Sequence, residues 1–340
     1  MKAAVFLGTG RIEVQELALA ALGPTDVRVR NRAVGVCGTD IHIFNGEKGS
    51  ADVTPPVVLG HEFAGEVVEI GSAVTTVRVG DRVAIDPNIY CGKCHYCKIG
   101  KKQHCENLQA IGVTRHGGFA EYCVVPEQQV YVLGEDVDFE EGAMAEPLAC
   151  CLHGIDLVGI RTGDTVCVIG GGPIGQIMVQ LARISGASLV LLSEPVSERR
   201  RIALELGADY TFDPLAVPLV DSIREELGMP GVDVVIECAG VGGAVEQAFA
   251  VAKRGASILL FSVPAPDATY PLRLFDVFQK ELKIQGSFIN PDTHQRAVEL
   301  LNAKKVQIAP LITHRYGLDG VAEAIQKQTE ADSLKVLVKP

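Results

Sequence analysis

Thr165-Val166-Cys167-Val168-Ile169-Gly170-Gly171-Gly172-Pro173-Ile174-Gly175 is an apolar, β-branched run that ends in a glycine loop. Behind it, Ile174, Ile177, Met178, Leu181 and Ile184 recur at helical spacing. A Gly-x-Gly-x-x-Gly string alone is weak, but between a buried strand and an amphipathic helix it reads as a dinucleotide-binding turn. Gly170 allows the turn, Gly172 lets a pyrophosphate approach the backbone, and Gly175 lets helix and strand pack closely. The N–H groups at the helix start favour phosphate. The next strand, Leu189 to Ser193, leads into Glu194, 19 residues beyond Gly175. A carboxylate there accepts hydrogen bonds from a ribose diol and repels a 2′-phosphate, so NAD is expected over NADP. The run Arg199-Arg200-Arg201 pulls the other way. A solvated helix face is the expected reading for at least two of the three.

The βα rhythm continues downstream. Val232–Glu237, Ser257–Ser262 and Leu282–Gly286 read as strands, with a helix near Val245–Ala252, and this alternation predicts a doubly wound parallel sheet. Pro291 to Ala303 reads as a helix, and Leu334–Val338 as a last strand that returns to the first domain. Upstream, residues 1–86 are short alternating or β-branched runs between turns, the pattern of a small β barrel or sandwich.

At 340 residues the chain exceeds the size at which one core keeps growing, so two domains are expected. Lys+Arg 31 against Asp+Glu 42 gives a net charge of −11, which argues against nucleic acid as a partner. No apolar run approaches the ~20 residues that span a bilayer, and no export signal is read at the start, so a cytoplasmic protein is expected. There the 10 cysteines should be thiols or metal ligands.

Metal-capable side chains cluster twice. Cys91, Cys94, Cys97 and Cys105 have spacings that can close a tetrahedral site with no open position, hence a structural zinc; a disulfide pair is the competing reading. In the second cluster, His61 and Glu62 stand side by side after Gly60, and Gly35-Val36-Cys37-Gly38-Thr39-Asp40-Ile41-His42 crowds polar groups into what reads as a glycine-flanked turn. Alone, the pair His61-Glu62 suits a surface turn and Cys37 a buried small hydrophobe.

Taken in order, these motifs and Glu146-Pro147-Leu148 resemble the zinc-dependent medium-chain dehydrogenase/reductase superfamily over essentially the whole chain. Cys37 with adjacent His61-Glu62 looks like its polyol (sorbitol, xylitol, arabitol) dehydrogenase branch. Threonine 3-dehydrogenases and sugar-alcohol-phosphate dehydrogenases share the pattern, and butanediol is a further candidate substrate. The resemblance implies a GroES-like catalytic domain over 1–148 and 290–340, and an NAD-binding Rossmann domain over 149–289. It implies a catalytic zinc on Cys37, His61 and Glu62, with Glu146 a further ligand that exchanges with water or substrate. Thr39 would be the hydroxyl of a proton relay and His42 its solvent end; a plain turn residue is the other reading of His42. Ile174, Glu194 and Arg199 match positions that contact NAD, and Ser262, Val263, Ser287, Phe288 and Ile289 would flank the nicotinamide.

The reaction so implied is oxidation of a secondary alcohol of a polyol to the ketone, zinc polarising the substrate oxygen and hydride passing to nicotinamide. Two departures bear on the substrate. Ala149-Cys150 stands where threonine enzymes have Gly-Asn, and Asn290-Pro291 stands where some polyol enzymes carry an Arg-aromatic pair. A zinc-ribbon module and a non-catalytic NAD-binding protein are the readings from other classes. A homo-oligomer, dimer or tetramer, is expected by analogy.

Overall fold

The computed structural model describes residues 1–47 and 52–340. The chain forms two compact units, Met1–Ala149 with Asn290–Pro340, and Cys150–Ile289. The first opens with strands β1 (Lys2–Gly8), β2 (Arg11–Glu16), β3 (Asp26–Gly35), β4 (Val57–Val58), β5 (Glu62–Ile70), β6 (Arg82–Ile85), β7 (Asn88–Ile89), β8 (Gln109–Ala110), β9 (Tyr122–Pro126) and β10 (Val130–Val132). Among them lie helices α1 (Gly38–Phe44), α2 (His95–Lys98) and α3 (Phe139–Ala143), and α4 (Ala145–Val158) follows.

The second unit alternates β11 (Thr165–Ile169), α5 (Pro173–Ile184), β12 (Leu189–Ser193), α6 (Ser197–Glu205), β13 (Tyr210–Phe212), α7 (Leu219–Leu227), β14 (Val232–Glu237), α8 (Gly242–Val251), β15 (Ala252–Leu260), α9 (Leu274–Lys280) and β16 (Lys283–Gly286). Its strands form one parallel sheet in the order β13-β12-β11-β14-β15-β16. Strands β11, β12 and β14 are almost wholly buried, as covered parallel strands must be. The chain then adds α10 (His294–Asn302), β17 (Ile312–Gly317), α11 (Val321–Lys327) and β18 (Lys335–Lys339) to the first unit. That unit's main sheet runs β10-β6-β5-β3-β18-β17, with β9 also on β3. The returning tail is thus a sheet strand, with Leu337 opposite Gly35 and Val338 opposite Val34.

The expected β-rich unit and doubly wound sheet are both present. Local boundaries differ. Gly35 to His42 is no turn: Cys37 is the N-cap of α1, and Asp40 accepts a hydrogen bond from the Cys37 N–H at 2.9 Å, so a capping residue starts a helix despite the glycines. The helix near Val245 starts earlier, at Gly242, and the strand placed at Ser257 starts at Ala252. No helix among the described residues is long and apolar enough to cross a membrane.

A buried polar network anchors the returning chain. Asn290, fully buried, accepts from Asn88 Nδ2 at 2.5 Å, and Asn88 N–H donates to Asp86 at 3.0 Å. Thr293 Oγ1 donates to the Ala149 carbonyl at 2.7 Å. Burial pushes the Asp86 carboxyl up from 3.8 to about 6, against the hydrogen bonds from Asn88 and Asn290. With the folded pKa above the unfolded one, stability is greatest below pH 4 as far as this group is concerned and falls as pH rises through 6. Asp86→Asn keeps an acceptor oxygen and removes the charge. Thermal unfolding from pH 4 to 8 should show the variant lacking a decline of about 3 kcal/mol present in the parent. Equal slopes in both proteins would refute this.

Candidate metal centre and cofactor cradle

Strand β3 delivers Cys37 past its end, and the chain enters β5 with His61 and Glu62, Glu62 lying opposite Gly35. Gly60 must be glycine: its φ is +89°, and a Cβ would meet Phe119 and Val34 at 2.9 Å. Ligand atoms of Cys37, His61 and Glu62 all lie within 4.8 Å of one another. His61 and Glu62 are 7% and 2% exposed, so neither belongs to a surface turn. Asp40, wholly buried, places Oδ1 at 3.6 Å from His61 Nδ1, beyond a hydrogen bond but near enough for its charge to act on the ring.

Sequence reasoning missed Lys335. At 3% exposure its ammonium pairs with Glu62 Oε2. Gly35 leaves the room for that pair, since a Cβ there would collide with the Glu62 carboxylate and the Lys335 side chain. The readable signal was one lysine inside the apolar run Leu334–Val338, because a fully buried lysine needs a partner.

The electrostatics suit a cation. Burial works against a charged His61, yet Asp40 and then Cys37 raise its proton affinity well above the usual value. Burial likewise opposes the charge on Lys335, while Glu62 and Cys37 hold its proton more tightly than usual. Burial also raises Asp40. A pocket that retains protons in this way carries excess negative potential, and one thiolate, one imidazole and one carboxylate are zinc donors. Glu146, in the first turn of α4, stands outside the set of three, though its charge bears on both His61 and Lys335. Thr39 and His42 follow Cys37 on α1, both half-buried, and His42 Nδ1 lies 2.5 Å from Glu47 Oε2.

The four-cysteine lobe also closes. Cys91, Cys94, Cys97 and Cys105 bring their sulfurs within 4.8 Å of one another, and all 10 cysteines are unbridged. Backbone N–H groups of Cys91 and Cys94 point at the sulfurs of Cys105 and Cys91, at 3.3 and 3.4 Å. The donor set fits a structural zinc.

In the second unit, Gly170 has φ +97°, and a Cβ on Gly175 would strike the Gly170 carbonyl oxygen. Gly172 caps α5, with Pro173 in its first turn and Ile174 next. Glu194 is 3% exposed, and its carboxylate accepts from the Gly171 N–H at 2.6 Å and the Val196 N–H at 2.8 Å. The arginine run divides otherwise than expected. Arg201 alone is exposed, paired with Glu198 and Glu205; Arg200 is half-buried and donates to the Glu194 and Pro195 carbonyls at 2.7 Å. Half-buried Arg199 offers its carbonyl to Gln176 Nε2 at 2.8 Å. Ser262 Oγ donates to Glu237, a buried carboxylate that also accepts from the N–H groups of Ala239 and Gly240 at 2.7 and 2.8 Å. Val263 and Phe288 are exposed, Ser287 is half-buried, and Ile289 has the left-handed φ of +47°.

Comparison with known proteins agrees with this layout. A family model described as the alcohol dehydrogenase GroES-like domain matches residues 23–135, and one described as zinc-binding dehydrogenase matches 173–304. An L-threonine 3-dehydrogenase of Symbiobacterium thermophilum is 36% identical, over 96% of this chain and 94% of its own. A sorbitol dehydrogenase of Halalkalibacterium halodurans is 35% identical, over 98% and 97%. A solved structure from Sinorhizobium meliloti, described as a zinc-binding dehydrogenase bound to NADP, is 44% identical with a TM-score of 0.96, covering 100% of this chain and 99% of that one.

Proposed function

We propose that this chain, which belongs to the zinc-dependent medium-chain dehydrogenase/reductase superfamily, oxidises a secondary alcohol of a polyol or sugar alcohol to the ketone, with NAD as the hydride acceptor. The convergence of Cys37, His61 and Glu62 carries this reading. A zinc ion held there would act as a Lewis acid that lowers the pKa of the substrate hydroxyl. The protein's own groups do the rest. Asp40 sets its charge beside His61, and Lys335 balances Glu62, whose hard oxygen donor suits a hydroxylated ligand. Thr39 and then His42 carry the hydroxyl proton away, and Glu146 serves as an exchangeable ligand.

NAD over NADP is supported by Glu194, whose carboxylate at the end of β12 would meet a 2′-phosphate with like charge. A polyol over threonine is supported by Ala149-Cys150 after Glu146-Pro147-Leu148. Asn290, committed to Asn88 inside the first unit, does not replace the hydroxyl contact of the Arg that some polyol enzymes carry there. Cytoplasmic location is part of the same proposal, consistent with 10 unbridged cysteines. So is assembly of two or four copies. It is supported by α9, where Leu274, Phe275 and Phe278 are 75%, 65% and 78% exposed.

Reduced cofactor should form with sorbitol, xylitol, arabitol or galactitol, faster with NAD than with NADP, in a protein carrying about two zinc per chain. Turnover of threonine alone, with the polyols and butanediol inert, would overturn the substrate class. About one zinc per chain and no turnover would favour a non-catalytic protein.

A further inference from the structure

We propose that Glu47 is a positioning residue: its carboxylate fixes the imidazole of His42 in the tautomer that can receive a proton. The proposal rests on the reading of His42 as the solvent end of the proton path.

The geometry comes from the way α1 stops. Gly46 N–H donates to the Ile43 carbonyl at 3.0 Å, and Glu47 N–H to the His42 carbonyl at 2.8 Å. The reversal depends on Gly46, whose φ is +76° and where a Cβ would press on the Thr9 side chain. It folds Glu47 back beside the helix, and Glu47 Oε2 comes to 2.5 Å from His42 Nδ1. The two residues are therefore joined through both backbone and side chains. An ionised carboxylate can only accept, so the hydrogen of this bond sits on Nδ1. Nε2 is then left with its lone pair, the form required of a proton acceptor.

The proton balance is simple. The proton lost from the substrate hydroxyl arrives at Nε2, the ring becomes an imidazolium with Nδ1–H still on Glu47, and Nε2–H is lost to water. Side-chain exposures of 29% for His42 and 54% for Glu47 put the pair where water can take that proton. Without Glu47 the ring is free to turn and to adopt the opposite tautomer, with its acceptor nitrogen no longer set.

The test compares Glu47→Ala with Glu47→Gln, whose amide oxygen can still accept from Nδ1. Nitrogen-15 NMR of the neutral His42 ring should show the Nδ1–H tautomer in the parent and in Glu47→Gln, and its loss in Glu47→Ala. With saturating xylitol and NAD, Glu47→Ala should lower kcat roughly three- to tenfold at unchanged KM, and Glu47→Gln should recover at least half of the loss. An unchanged tautomer in Glu47→Ala, or parental kcat in it while His42→Ala is slow, overturns the role of Glu47 alone. Parental kcat in His42→Ala overturns the proton-path reading on which the proposal stands.

Discussion

Replacing Lys335 by methionine is expected to destabilise the metal-free protein by about 3–5 kcal/mol and the zinc-loaded protein by much less. Glu62 and Lys335 are 2% and 3% exposed, so the carboxylate has little water to fall back on when its ammonium is removed. Methionine fills similar space, which leaves an uncompensated charge as the main change. A zinc ion beside Cys37 and His61 would provide that compensation, so the loss should shrink once metal is bound. By linkage the variant should then bind zinc more tightly than the parent, because an ammonium no longer competes for Glu62. Urea unfolding of the chelated and zinc-saturated forms measures both quantities. The double variant Glu62→Gln with Lys335→Met should restore most of the metal-free stability, since the stranded charge is gone. An equal loss in both metal states, or a double variant weaker than Lys335→Met, would show that Lys335 acts through packing and not through charge.

Lys335 also shows why part of the centre escaped sequence reading. Cys37, His61, Glu62 and the four cysteines announce themselves because a metal needs particular donors, and most of those donors lie a short stretch of chain apart. Lys335 meets Glu62 only because β18 pairs with β3, Leu337 opposite Gly35, and continuing that register by two residues sets Lys335 opposite Cys37. Nothing local encodes that register. Asp40 was closer to legible: three residues after Cys37 it stands where a cap-box carboxylate belongs, and the flanking glycines hid the helix it starts. The arginine run went partly wrong for a geometric reason. Successive helix residues turn by about 100°, which leaves Arg201 on the solvated side and turns both Arg199 and Arg200 into partial burial. Asn290 was read only for the substrate contact it lacks, because its structural partners Asn88 and Asp86 lie some 200 residues away in sequence. The glycine loop was readable because Gly170, at φ +97°, and Gly175, where a Cβ would strike the Gly170 carbonyl oxygen, answer demands made within the loop itself.

Cys105→Ser is expected to remove one zinc per chain and to lower the thermal midpoint on the order of 10 °C. From Cys91 to Cys105 only Cys94 and Cys105 are buried, so the lobe has no core of its own to hold it. Its base is the two-stranded β7–β8 ladder, Asn88 opposite Ala110 and Ile89 opposite Gln109. The thiols are set for a cation. The N–H groups of Lys93 and Cys94 hold Cys91 down to about 6, whereas burial and the neighbouring thiols of Cys94 and Cys105 push Cys97 up to about 12. Four sulfurs so close cannot all ionise without a divalent ion among them, and a serine in place of the thiolate of Cys105 leaves that ion with three ligands. The lobe should then open locally and let trypsin cut the backbone after Lys93, Lys98, Lys101 and Lys102, with cleavage there preceding any cut in the doubly wound unit. A zinc held by Cys37, His61 and Glu62 would draw on no residue of the lobe, so metal analysis should still find it. Loss of both metals would mean that the lobe supports the catalytic centre, and a variant that kept two zinc with the parental midpoint and tryptic pattern would remove the lobe from the account of what holds this fold together.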